Sequence, residues 1–117
     1  MDTRIARDSL SASWLAERLA VEPRRLEAMR RDGELIAVRP EGSQEHYYPV
    51  WQFDEDWRPS PVVPRLVRAA RDAGLADNRL YELLNARAGL GSGRRLTDVL
   101  REGGDEHVLA AVRSARP

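Results

Sequence analysis

The stretch VEPRRLEAMRRDGELIAVR, Val21 to Arg39, decides how this chain is read. Pro23 suits the first position of a helix, where its missing N–H has no intrahelical partner, and Gly33 suits the left-handed residue that closes one. Between them, at about 100° per residue, Leu26 and Met29 fall on one face and Arg24, Ala28 and Arg31 on the opposite one. Arg25 and Glu27 flank the basic face, and Arg30 sits nearer the buried side, within reach of a phosphate or an acid. A plain solvated helix would carry the same residues, so this helix alone leaves its role open.

Working outward shifts the balance. Upstream, Ser11 or Ser13 can cap a helix running from about Ala12 to Ala20, with Trp14, Leu15, Leu19 and, past the turn, Val21 as one buried stripe. The connection Ala20-Val21-Glu22 is short enough to make the two helices cross, which is helix-turn-helix spacing. Downstream, Leu35, Ile36 and Val38 form a β-prone stretch, EGSQ supplies turn chemistry, and EHYYPVW returns as a second strand. Two helices followed by a hairpin describe a winged helix-turn-helix. Residues 1–10 read as a loosely ordered arm.

Five of the seven aromatic residues crowd into HYYPVWQFDEDW, His46 to Trp57. They could form a base-stacking platform, a ligand pocket, or a packed seam between two lobes. A stacking platform needs interleaved basic residues, whereas the neighbours here are Asp54, Glu55 and Asp56, a solvated run that could also hold Arg58. Packing is the better reading, with Trp51 and Phe53 reaching back to the first-helix core and Pro49 restricting its strand to an edge.

The proline cluster in RPSPVVP marks a boundary, giving lobes 1–57 and 58–117. The second lobe reads as four short helices. Pro64 opens one with Leu66, Val67 and Ala70 inward, stopped by Gly74, and Asp77 caps one carrying Leu80, Tyr81, Leu83 and Leu84. A short one with Leu96, Val99 and Leu100 ends at Gly103-Gly104, and the last starts at Asp105 with Val108, Leu109 and Val112 inward. The expected fold is mainly α with a small β-hairpin wing: a winged helix-turn-helix followed by a short helical bundle.

Composition bounds the function. At 117 residues, 42% hydrophobic and 32% charged, the chain has the make-up of an ordinary globular domain. No apolar run approaches the roughly 20 residues that span a bilayer, and MDTRIARDSL has no apolar signal region, so a cytoplasmic protein without membrane partners is expected. With no cysteine there is no disulfide, thiolate nucleophile or Cys-ligated zinc. The 19 basic residues are all arginine and are balanced by 19 acidic ones. Neutrality argues against a strongly basic nucleic-acid binder, while arginine is the side chain that grips phosphate and guanine bidentately. GLGSG has no preceding strand and no following Gly-Lys-Ser/Thr, so it reads as a loop and not as a phosphate cradle. His46 and His107 stand far apart, and Asp105-Glu106-His107 reads as an exposed helix start. No catalytic, cofactor or metal residues emerge, and no enzyme is expected.

Two resemblances bear on these readings. VEPRRLEAMRRDGELIAVR resembles the helix, Gly-containing turn and first wing strand of excisionase-like and mercury-regulator-like DNA-binding domains, over roughly Ser11 to Phe53. It implies DNA contacts from Arg24, Arg25, Ala28 and Arg31, and wing contacts from Arg39, Ser43, Gln44 and His46, beside which Glu41 and Glu45 would face the DNA backbone. YPVWQFD followed by LGSGRRLTDVLREGGDEHVLAAVRSA is similar to the C-terminal domain of small bacterial antitoxins paired with RES-type toxins, and to small bacterial winged-helix proteins with the same tail; the match is best over Leu90 to Ala111. The expected function is sequence-specific binding of double-stranded DNA by a transcriptional regulator, an autoregulating antitoxin among the candidates, acting as a homodimer through its helical lobe. The alternative is a protein-interaction module that engages a toxin or another protein partner without DNA.

Overall fold

The structure is a computed structural model and describes residues 3–86 and 93–117, Thr3 and Arg4 as backbone only. It is mainly helical with one small antiparallel sheet, and it divides into compact units, Met1–Pro64 and Arg65–Pro117.

The first unit begins with α1 (Thr3–Asp8) and β1 (Ser9–Ser11), where the sequence suggests a loose arm. The arm expectation fails because its anchors are sparse or non-local. Ile5 is buried, and β1 pairs with β2 (Tyr47–Pro49) in the register Ser9–Pro49, Leu10–Tyr48 and Ser11–Tyr47. Between the strands lie α2 (Ala12–Leu19) and α3 (Pro23–Arg31).

The expected wing hairpin is reduced to a single bridge, in which Val38 N donates to Tyr47 O at 2.8 Å and Tyr47 N to Val38 O at 2.7 Å. Leu35, Ile36, Ala37 and Val38 are all buried, which is not the alternation of a strand with one wet face. At Ile36 a side chain takes the place of a partner strand. Gln52, fully buried as the last residue of the 3-10 turn Val50–Gln52, accepts from Ile36 N at 2.8 Å and donates to Ile36 O at 2.7 Å and Pro49 O at 3.0 Å. The strand read as the wing's second half therefore pairs chiefly with β1.

The core of this unit is Leu15, Ala16, Leu26, Leu35, Ala37 and Tyr48, with Leu10, Leu19, Val21, Met29, Phe53 and Trp57 packed against it. Trp14, expected inside, is 47% exposed; the buried pair is Leu15 and Ala16, one residue round the helix from the expected Trp14 and Leu15. The Trp57 ring centre lies 5.7 Å from those of both Trp14 and Phe53 in tilted pairs, and Arg18 Cζ lies 5.3 Å from its ring centre. Phe53 and Trp57 thus reach the first-helix core, while Trp51 stands outside that group. The acidic run is not merely solvated. Asp54 Oδ1 accepts from Asp56 N at 2.8 Å and Arg58 N at 2.9 Å, closing the turn in which Trp57 adopts a left-handed φ of 62°.

The second unit begins within the first turn of α4 (Val62–Asp72) and continues through α5 (Asp77–Leu84), α6 (Leu96–Arg101) and α7 (Asp105–Ser114). α7 packs on α5 and α6. Helical spacing locates the interior: Leu66, Val67 and Ala70 of α4, Leu80, Tyr81 and Leu84 of α5, Leu96 of α6, and Val108, Leu109 and Val112 of α7 are buried. Two expected starts shift. α4 begins at Val62, with Pro64 still in the first turn where no N–H is needed, and Asp77 is the first residue of α5 and not its cap. Leu80, Leu84, Leu109 and Val112 are no more than 2% exposed and belong to this core, so they do not offer the surface for the homodimer expected of the helical lobe. Between α6 and α7 the backbone at Gly104 passes so close to Val99 that a Cβ there would run into Val99 Cγ1 and crowd its carbonyl oxygen. Gly89 to Ser92 of the GLGSG loop lie outside the described residues. Among the described residues no helix is long and apolar enough to cross a membrane.

Candidate nucleic-acid interface

α3 is held at both ends by backbone geometry. The turn before it has Ala20 at φ 55°, with Ala20 N donating to Glu17 O at 3.1 Å and Val21 N to Ala16 O at 3.0 Å. After it, Gly33 at φ 81° lets Gly33 N reach Arg30 O at 3.1 Å and Glu34 N reach Met29 O at 2.9 Å. This double bond across a left-handed residue satisfies carbonyls the helix leaves open, and glycine adopts it without the Cβ penalty. Leu26, completely buried, fixes the roll of the helix.

That roll leaves Arg24, Arg25 and Arg31 exposed and Ala28 half-buried. Arg24 Nε meets Glu22 Oε2 at 2.9 Å, but both side chains stay mostly in water, so the pair constrains Arg24 weakly. Arg30 takes the acid of its two options: it is largely covered and tied to Glu27, with Nε 3.1 Å from Oε2. The hydrogen bond from Arg30 holds the Glu27 carboxyl below its ordinary value, helped by the charges of Arg30, His46 and Arg31 and opposed by partial burial.

The residues of the 39–46 segment differ in exposure and in bonding to the fold. Arg39 and Gln44 are exposed. Ser43 closes the loop on itself, its Oγ donating to Glu45 O at 2.9 Å and accepting from Glu45 N at 3.1 Å. His46 accepts from Ala12 N through its carbonyl at 3.0 Å, and its Nδ1 lies 3.9 Å from Glu27 Oε2. Glu45, read as a carboxylate facing outward, instead accepts from Ser13 N at 2.6 Å and from Ser13 Oγ. With Ser11 Oγ accepting from Trp14 N at 3.2 Å, the first turn of α2 has its open donors satisfied and its positive end matched by a carboxylate.

The residues brought together are those of α3's first turns and the loop. Pro23 and Glu27 line a shallow groove of ≈ 360 Å³ opposite Gln44 and His46. Arg24, Ala28 and Arg31 lie round the helix from it. Sequence reasoning missed Glu45 because its partner is 32 positions away; the Glu27–Arg30 pair could have been found from its i,i+3 spacing. Chemically the site offers planar guanidinium donors that suit phosphate or guanine, and one amide, Gln44, that suits adenine. Among the described residues no cluster of His, Asp or Glu could hold a metal ion.

No family model and no curated protein matches this chain. Among solved structures it is similar to one titled "NMR structure of Rv2175c", with a TM-score of 0.74 and 22% identity over 91% of this chain and 79% of that one. At that identity the likeness establishes a shared fold.

Proposed function

We propose that this chain is a sequence-specific double-stranded-DNA-binding protein of the winged helix-turn-helix type, acting in transcriptional regulation. In this reading α3 enters the major groove, Arg24, Arg25 and Arg31 supply base-edge and phosphate contacts around the small gap at Ala28, and Arg39 and Gln44 approach from the shortened wing. Ser43 and His46 shape the loop. The observation that carries the proposal is the roll of α3, with Leu26 wholly buried and three arginines turned to solvent. Two copies on a pseudo-palindromic site would supply the contacts one small domain lacks.

A gel shift of the purified protein on its own upstream region, at two salt concentrations, tests this. The Arg24→Ala/Arg31→Ala variant is expected to bind more weakly with an unchanged melting temperature. Loss of a bidentate guanine contact accounts for about 1–3 kcal/mol and relaxes preference at one base. Equal binding by variant and wild type removes α3 from the site.

A second reading is a protein-interaction module, with a toxin or another protein as partner. Glu27 beside the α3 groove favours it, since a carboxylate there disfavours phosphate. It predicts no mobility shift on duplex DNA at either salt concentration.

A further inference from the structure

Charge is divided unevenly along this neutral chain. Met1–Pro64 holds nine arginines against twelve carboxylates, a net of −3; Arg65–Pro117 holds ten against seven, a net of +3. A net-negative unit is repelled by duplex DNA at long range, whatever its local arginine face does at contact. The positive excess lies in the other unit, and part of it is ordered in a row. On α4, Arg65, Arg68 and Arg71 follow at every third residue, all exposed, while Leu66, Val67, Ala69 and Ala70 between them are buried. At 1.5 Å per residue the three Cα positions rise about 4.5 Å apiece along one stripe.

Two members of the row, Arg65 and Arg68, are lightly held. Arg65 NH2 meets Glu106 Oε1 at 2.7 Å, in a pair exposed on both sides. Arg68 makes no ion pair or hydrogen bond among the described residues, although Asp72 stands one turn on. Such exposed guanidinium groups meet phosphate oxygens without first giving up a buried partner, and each phosphate neutralised releases condensed counterions.

We infer that the α4 arginine row is a second phosphate-binding face, which holds the backbone of duplex DNA without regard to sequence and supplies the electrostatic attraction that the first unit lacks. This rests on the DNA-binding reading above and concerns a different surface from α3.

The test is fluorescence anisotropy on two duplexes, the protein's own upstream region and a scrambled copy, across a salt series. For Arg68→Gln/Arg71→Gln the plot of log K against log salt is expected to be shallower by about 2, with affinity lower by roughly tenfold or more at about 0.1 M salt on both duplexes alike. Glu106→Gln, which releases Arg65, is expected to bind both duplexes more tightly with a steeper slope. It decides the matter if circular dichroism shows the double variant to be unfolded: an unchanged slope in Glu106→Gln then overturns the inference. A folded double variant with a wild-type slope also overturns it, as does a loss confined to the cognate duplex, and the DNA-binding reading survives if Arg24→Ala/Arg31→Ala still weakens binding. A wild-type protein that binds neither duplex overturns both.

Discussion

Gln52 is a polar side chain with no exposure, and both ends of its amide are engaged with the backbone around Ile36 and Pro49. Gln52→Leu fills similar space but strands the N–H and C=O of Ile36 in the interior. Unpaired buried groups cost about 1–3 kcal/mol each, so urea denaturation is expected to show a loss of about 2–4 kcal/mol. A loss below about 0.5 kcal/mol would mean that water reaches Ile36 and that the amide is not the pin described. Nothing in the sequence marks this residue, because a lone glutamine among aromatics has no periodicity and its main partner is 16 positions upstream. Glu27 makes a smaller, pH-dependent contribution. Its carboxyl titrates below the ordinary 4.5 when folded, so the stabilisation is complete above that pH and is lost as the pH falls through the folded value. With the side chain 40% exposed, solvent screening limits this to about 1 kcal/mol or less. Glu27→Gln should remove that part of the acid dependence, and an unaltered acid transition would assign it to other groups.

Among the elements, the turn between α2 and α3 carries a local strain that can be tested. Ala20 sits at φ 55°, where a Cβ costs about 1–2 kcal/mol, partly offset in a glycine variant by its more flexible unfolded chain. Ala20→Gly is expected to stabilise by about 0.5–1 kcal/mol in thermal melts while leaving DNA affinity unchanged. Destabilisation would show that the alanine methyl makes contacts outweighing the strain. The same elements show what a sequence discloses. α3 was legible because Pro23, Leu26 and Gly33 act within one helix, and the buried faces of α4, α5 and α7 followed from spacing alone. β1 and the reduced wing were not, since three-residue strands carry no periodicity and β1 finds its partner nearly forty residues away. Trp14 misled for a related reason: hydrophobic size suggested burial, but one residue of helix phase turned it outward toward Trp57. The loop bonds of Ser43 Oγ to Glu45 O and of Ala12 N to the His46 carbonyl were not legible either, since neither follows from a periodic pattern.

For the whole molecule, a two-fold dimer on DNA is predicted, with recognition helices in successive major grooves about 34–36 Å apart. Its interface must avoid Leu80, Leu84, Leu109 and Val112, which the second unit's own core covers. Sedimentation with and without a duplex should give two proteins per site, whereas a one-to-one complex on an asymmetric site would contradict the dimer. The central claim, that α3 and the 39–46 loop face the DNA, is tested most directly by backbone amide chemical shifts, practicable at 13.2 kDa. On adding a duplex of the upstream region, the largest shifts are predicted at Arg24, Arg25, Ala28 and Arg31, with further shifts at Arg39 and Gln44. Saturable binding that leaves these six amides unmoved would contradict the account.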